Sequence, residues 1–458
     1  MSVAVVAVFR TGVDNSEIRR KENTVLIQER NLFFAIVCLL AVFVILVRNA
    51  QSSARDHQIF LKTDQGPALE PLVVVASDND HLIVAGESSA ISSAWAMKID
   101  FSGKIAWTYT LGLLAEDAEA FHGTIFSPKF TDAVAMPDGT TFLCGSMPRP
   151  PTQYAPGLLV HLDATGQVLS KQLILPKQRN ASGIADINSC ISWGDRLALV
   201  GRVFHVVPHK NVFDPPPRPE EYPYPTGNVY WVLLTDANGK IKSEAQIHPS
   251  TNLISLNIGP IVRLSGSNDS IVYSATDNNS TEIIRANVDG NVEAEKELSG
   301  AFSLVRPVVR DDQLQVFGVS TLAKSSALNV TMLLDNQLKE TGQTQGVHPA
   351  FFLTRVAYRM PDRSLVLFGS KVSRSGAIYN SQVAHVSADL KSETDISPLR
   401  DAISDGGSIW AATPIRNPGE FAAATMAIAR DVTPDKPEGT GPVPGFRAGA
   451  VLDFLQIN

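Results

Sequence analysis

The most repeated polar feature of the chain is a lone carboxylate in a short Asp-x-x-Gly run. Asp100 precedes Gly103, Asp163 precedes Gly166 and Asp236 precedes Gly239, with Asn287 and Gly290 as a variant and weaker echoes at Asp335 and Asp389. A calcium loop draws about six or more oxygens from a longer acidic stretch. Each run here offers one carboxylate, so the runs are predicted to be hairpin turns, with Asp bonding its own backbone and Gly at positive φ. His205 and His209 have the H-x-x-x-H spacing that holds a metal on a helix. Pro208 and the prolines that follow deny that helix, and no metal site is assigned. Glu116, Asp117, Glu119 and His122 read either as a cation or partner site or as a solvated loop, and the loop is favoured. No Ser-His-Asp set, nucleophile elbow or phosphate loop is visible, so no catalytic residue is assigned.

Contact chemistry is concentrated in two proline-rich insertions, MPRPPTQYAPG at 147–157 and PHKNVFDPPPRPEEYPYPTG at 208–227. Proline stiffens such segments toward polyproline II and lowers the ordering cost of binding. Tyrosine supplies the amphipathic area enriched in interfaces. Tyr154, Pro216, Arg218, Tyr222 and Tyr224 are therefore the candidate partner-binding residues, against the plainer reading that the loops only cap their own units. A third proline-rich stretch, 434–446, is expected to join the third and fourth strands of the last unit and to emerge on the opposite face.

What positions these residues is a repeated unit whose best copy is LIVAGESSAISSAWAMKIDFSGKIAW, 82–107. Period-two alternation and the turn residues make it three strands of an antiparallel meander. Its Leu-x-Val-x-Gly strand recurs at 141–145, 197–201, 270–274, 314–318, 365–369 and 408–412. Units of about 45 to 70 residues with no intervening helix are what a β-propeller requires. The fold class expected is all-β, a seven-bladed β-propeller with six or eight blades as alternatives. Its outermost last strand is placed at 448–457, and 57–63 is taken to pair near the closure.

The strand ending in Gly, the Lys-x-Asp strand, the D-x-x-G turn and the Trp after it resemble the bacterial propeller repeats of the delta-60 and quinoprotein-like type. That resemblance implies a propeller. It also brings to mind a quinone enzyme with a calcium site, a stacked tryptophan and adjacent cysteines. The chain has no Cys-Cys pair and its five tryptophans are spread along the repeats, so no cofactor is expected. Of its three cysteines, Cys144 and Cys190 sit in different predicted strands. No spacing rule pairs them, and buried reduced thiols are the favoured state.

Residues 32–47, from Leu32 to Val47, read LFFAIVCLLAVFVILV without charge or proline. The run is short for a span of about 20 residues and long for a signal-peptide core. More Arg and Lys precede it than follow it closely, which favours an N-terminus in the cytoplasm. An uncleaved signal anchor is favoured over cleavage near Ala50, Ser52 and Ala54. The expected organisation is a cytoplasmic segment at 1–30, an anchor helix at 31–48, a linker with a candidate closing strand at 49–70 and the propeller at 71–458. A net charge of −7 leaves no basic stripe for a phosphate backbone, which excludes nucleic acid as the expected partner.

The sequence thus predicts a membrane-anchored, extracytoplasmic module that holds another protein, or a secreted one if the leader is cleaved. The alternatives are a periplasmic enzyme (hydrolase, lyase or dehydrogenase) at the channel mouth, and glycan or surface adhesion.

Overall fold

The structure is a computed structural model that describes residues 58–61, 69–88, 93–112, 127–147, 156–176, 183–205, 228–247, 257–263, 270–276, 280–287, 289–308, 314–320, 328–347, 352–372, 379–395, 407–417, 419–430 and 446–457. Contacts divide the chain between Asp56 and His57, and everything below concerns the unit that begins at His57. The run 32–47 lies outside the described residues. Among those described, no helix is long and apolar enough to cross a membrane.

The described chain is all-β. A short strand, β1 (Gln58–Leu61), opens it. The first sheet is β2 (Glu70–Ala76), β3 (His81–Ser88), β4 (Ser93–Asp100) and β5 (Ile105–Gly112) in that order. The second is β6 (Lys129–Ala135), β7 (Thr141–Ser146), β8 (Gly157–Leu162) and β9 (Val168–Ile174). The third is β10 (Gly183–Trp193), β11 (Arg196–His205), β12 (Asn228–Thr235) and β13 (Ile241–Ile247).

An eight-stranded sheet follows. It comprises β14 (Asn257–Ile258), β15 (Val262–Arg263), β16 (Ser270–Thr276), β17 (Ser280–Asn287), β18 (Val292–Leu304), β20 (Leu314–Ser320), β21 (Leu328–Leu334) and β22 (Glu340–Val347). Strand β18 pairs with β17 up to Ser299 and with β20 from Gly300, so it ends one meander and begins the next. The pivot is Gly300, whose φ of 135° suits glycine alone. A five-stranded sheet contains β19 (Arg306–Pro307), β23 (Phe352–Arg359), β24 (Leu365–Val372), β25 (Tyr379–Val386) and β26 (Glu393–Asp395). The last sheet is β27 (Gly407–Pro414), β28 (Glu420–Arg430) and β29 (Phe446–Gln456), with β1 completing it beside β29.

In inner strands such as β3 and β4 both faces are buried, and residue parity decides which neighbour each side chain meets. In β3, Leu82 and Val84 join Trp95, Met97 and Ile99 against Ala422, Ala424 and Leu452 of the last sheet. Ile83 and Ala85 face the other way, onto Phe130, Leu143 and Leu158 of the second sheet. Further apolar clusters fill the seam between the second and third sheets, the third and the β16–β17 meander, and so on to the last sheet. Strand β2 touches β6 on one side and β27 with β28 on the other, which closes the series on itself. The result is a propeller-like arrangement in which each sheet covers its neighbour's inner strands.

The glycine that ends each Leu-x-Val-x-Gly strand answers to its neighbour's backbone. In β2, β6, β10 and β23 one residue is bulged out of the pairing with the next strand: Leu72, Thr131, Asn188 and Arg355. Each bulge lies across from the repeat glycine. A Cβ on Gly145 would stand 1.9 Å from the Lys129 carbonyl oxygen, and Gly86 and Gly201 meet the same obstacle. Trp95 and Trp231 occupy the position paired with this glycine on the following strand.

Three expectations are corrected. The strand at 408–412 is not a copy of the Gly-ending strand. It belongs to β27, the first strand of its sheet, and the true counterpart is β28, where Thr425 stands across from a bulge at Trp410. Strand β29 is not outermost, because β1 lies outside it. Residues 431–445 therefore join second and third strands, as do the other two insertions. Finally, Cys144 of β7 and Cys190 of β10 are joined in a disulfide with their Cα atoms 6.9 Å apart. The register places Cys144 opposite Asp132, whose carboxylate receives the Cys190 amide, and so brings the two sulfurs together.

Candidate functional site

The two ends of the sheet ring differ. In an antiparallel meander the first-to-second and third-to-fourth connections leave from one edge, and all other connections leave from the opposite edge. Most of the described connections at the first edge are tight turns. Asp100 Oδ1 accepts the Ser102 amide at 2.8 Å and the Lys104 amide at 2.9 Å, and Asp163 does the same with Thr165 and Gln167. The Ser102 hydroxyl and the Lys104 amide hold the Asp100 carboxyl below its ordinary value, and Thr165 with Gln167 does so for Asp163. These carboxylates are spent on their own turns, as the sequence predicted. Gly103, Gly166 and Gly239 take positive φ, and at the weaker copies Leu338 and Leu390 hold φ of 57° without glycine.

The turn glycines also seat the seams. A Cβ on Gly166 would meet the Trp107 ring of the first sheet at 2.7 Å. At the closure, Arg416 donates to the Asn79 carbonyl at 2.6 Å, pairs with Asp80 at 2.5 Å and lies 4.6 Å over the Phe101 ring.

The opposite end carries the longest connections: 113–126, 148–155, 206–227, 396–406 and 431–445 all depart from it. Tyr154, Pro216, Arg218, Tyr222 and Tyr224 lie in these stretches and fall outside the described residues, as do Glu116, Asp117, Glu119, His122 and His209. Their anchor points are described. Met147 donates its amide to the Pro156 carbonyl at 3.0 Å, which pinches the base of one insertion. His205 is the last residue of β11, so the register extends the strand to the point where the 206–227 insertion begins.

At this end, in the seam between the first and second sheets, two carboxylates meet. Glu70 of β2 and Glu87 of β3 are directly opposed in register. The Ser127 hydroxyl donates to Glu87 Oε2 at 3.0 Å, and the Trp95 indole donates to the Glu87 carbonyl at 2.8 Å. Burial pushes the Glu87 carboxyl up, against the Ser127 hydrogen bond; the Glu70 charge adds to the rise and Lys129 opposes it. Sequence reading missed this pair, because the bulge at Leu72 decides which residue faces Glu87.

Along the first strands, polar groups tie neighbouring sheets. Asp132 Oδ2 accepts the Ser189 hydroxyl at 2.7 Å and the Cys190 amide at 3.0 Å, and its Oδ1 accepts the Ala133 amide at 2.9 Å. Ser189 in turn accepts the Ile261 amide at 3.2 Å, so three successive sheets share one hydrogen-bond chain. The Tyr358 hydroxyl donates to the Ala412 carbonyl at 2.8 Å, and burial pushes it up. Arg355 stacks 4.5 Å over Trp410, which makes partners of two bulge residues in adjacent sheets. Tyr230 donates to the buried Glu282 in the next seam. These side chains do structural work through fixed partners.

No family model matches the chain, and no curated relative matches it. Among solved structures, a protein of unknown function from Bacteroides caccae aligns over 79% of this chain and 100% of its own at 9% identity, with a TM-score of 0.39. A member of the DUF4221 family from Bacteroides vulgatus aligns over 69% and 91% at 11% identity and a TM-score of 0.35. The α-L-arabinofuranosidase of Fusarium graminearum aligns over 88% and 97% at 9% identity and a TM-score of 0.43.

Proposed function

We propose that the chain is a seven-bladed β-propeller of the quinoprotein-like repeat type, acting as a non-catalytic interaction or assembly module outside the cytoplasm and anchored through residues 32–47. What supports seven blades is the set of four four-stranded sheets, the five-stranded sheet and the two halves of the eight-stranded sheet, with one apolar cluster in each seam.

The observation that carries the function is the asymmetry of the ends. Most described connections at one are tight turns, while the proline-rich insertions 148–155, 206–227 and 431–445 all leave from the other. Loops displayed together on a rigid scaffold are where binding concentrates. The Cys144–Cys190 disulfide supports an extracytoplasmic location, since such bonds persist in oxidising compartments.

The test removes residues 215–225 from the full-length chain, which takes out Pro216, Arg218, Tyr222 and Tyr224. Proteins co-purifying with the full-length and deleted chains are then compared, alongside their thermal unfolding. A partner held by the full-length chain is expected to be lost while the unfolding midpoint stays in place. Retention of every partner overturns the assignment of these residues.

A further inference from the structure

We infer that the tight-turn end of the ring rests on a lipid bilayer through apolar side chains at the heads of its outer strands, so that the insertions 148–155, 206–227 and 431–445 face away from the membrane. This orientation depends on residues 32–47 being an anchor, as proposed above.

The direction is set by where the chain enters the ring. Strand β1 is antiparallel to β29, and Gln58 stands across from Asp453, close to where Gln456 pairs with Glu420 just after the β27–β28 connection. Leu61 stands across from Ala450, so β1 runs from the tight-turn end toward the insertion end. Packing agrees with the register: a Cβ on Gly103 would stand 3.3 Å from the Ile59 side chain, which puts β1 beside the Asp100–Gly103 turn of the first sheet. The chain therefore comes in at the tight-turn end. Residues 48–57 reach about 35 Å when fully extended. With the ring the other way up they would have to climb the height of a sheet, about 26 Å for an eight-residue strand such as β3, and clear the insertions lying beneath it.

The same end carries an apolar rim. Among the described residues, three exposed large apolar side chains hold one repeat position, two residues past the positive-φ glycine of the turn. They are Ile105 after Gly103, Val168 after Gly166 and Val292 after Gly290, at 42%, 48% and 43% exposure. Leu169, the next residue of β9, is 55% exposed, and Ile241 holds the same position half-buried in the third sheet. Single exposed apolar residues are ordinary. Here a shared position gathers them on one edge of successive sheets. The residue directly after the turn is an exposed lysine in four sheets or half-sheets, at Lys104, Lys240, Lys339 and Lys391. Lysine stems lie along apolar surface while the ammonium group stays in water. Turn carboxylates stand among them, so the rim carries both signs of charge, and its attraction to a bilayer is that of apolar side chains at the headgroup boundary.

The test places the full-length chain, carrying Cys38→Ser, in phosphatidylcholine vesicles that include lipid with a nitroxide on its headgroup. Cys144 and Cys190 are paired and take no label. One cysteine at a time is introduced and given a fluorophore: Ala164→Cys or Ala237→Cys at tight turns, Thr110→Cys or Leu175→Cys near the opposite edge, all at exposed positions. Flotation with the vesicles reads the anchor, and quenching by the nitroxide reads the orientation. The turn probes are expected to be quenched and the other two are not. Adding Val168→Ser, Leu169→Ser and Val292→Ser should relieve that quenching while flotation and the unfolding midpoint stay in place. A floating chain whose probes at 110 and 175 are quenched as much as the turn probes overturns the orientation. Quenching at the turn probes that the triple variant leaves unchanged overturns the apolar rim. Energy transfer between turn probes on different copies, abolished by the triple variant, overturns it too, because a second copy then covers the rim in place of lipid. A chain that fails to float loses the anchor, and the orientation with it.

Discussion

Substituting Gly145 tests the reasoning about the repeat most directly, because no conformational preference of glycine enters. Gly145 sits in a regular strand across from Phe130, just before the bulge at Thr131. A Cβ there stands 1.9 Å from the Lys129 oxygen, 2.9 Å from its carbonyl carbon and 3.0 Å from Phe130 Cα. A relaxed carbon–oxygen contact needs about 3.3 Å, so β6 must retreat by more than 1 Å. It cannot retreat freely, since Asp132 is held by Ser189, Cys190 and Ala133. Overpacking costs about 1–3 kcal/mol, and a strained hydrogen bond or two adds about 1 kcal/mol each. Gly145→Ala is therefore expected to destabilise by about 3 kcal/mol. Gly112→Ala is the control: it sits in β5 with nothing within 4 Å of its would-be Cβ, and it should lie within about 0.5 kcal/mol of the parent. Urea unfolding of the full chain measures both. Equal midpoints for the two variants would refute the claim that the close approach of the Lys129 carbonyl demands glycine at this position.

Three other outcomes follow from two buried groups, the disulfide and His161. Thiol titration of the unreduced, unfolded chain should find one thiol, Cys38, out of the three cysteines, and finding three would remove the disulfide. Closing a loop across a separation of 46 residues is worth about 4 kcal/mol on the chain-entropy model, so the Cys144→Ser, Cys190→Ser double variant should lose about 2–4 kcal/mol. His161 is stacked at 3.9 Å on Phe142, and burial pushes its imidazole below the ordinary 6.5 against the pull of Asp138. A depressed histidine stabilises above its ordinary value and loses that contribution as pH falls through it. The midpoint of the parent chain should thus drop relative to His161→Gln as the pH falls below 6.5, and a constant difference would refute the assignment.

Local chemistry was legible in the sequence, and the pairing of distant segments was not. The turns at Asp100, Asp163 and Asp236 were readable because carboxylate, amides and glycine lie within a few residues of each other. The positions of Leu338 and Leu390 were harder to see. Their side chains are only 2% and 8% exposed, and that burial offsets a backbone conformation that glycine would take without strain. The disulfide could not be read from spacing, since the packing of the second sheet on the third brings Cys144 to Cys190. Glu70 meets Glu87 only because Leu72 is bulged out of register, and a bulge leaves no compositional mark.

The last sheet shows how one substitution redirects a reading. In β28 the sequence FAAAT stands where other sheets have LIVAG or TFLCG, and Thr425 accepts the place of glycine. Thr425 is fully buried and its hydroxyl donates to Asp453 of β29 at 3.1 Å, which satisfies its polar group within the sheet. A search for the Gly-ending strand then lands one strand early, on β27, and every later element is miscounted by one. Moving the count by one strand makes β1 the outermost strand of that sheet. It also transfers the stretch 431–445 from the tight-turn end to the end that carries 148–155 and 206–227. The last sheet adjoins the first across β2 and β27, and the first adjoins the second across β2 and β6. The three proline-rich insertions thus leave from one arc of the ring, centred on the seam where Glu70 opposes Glu87.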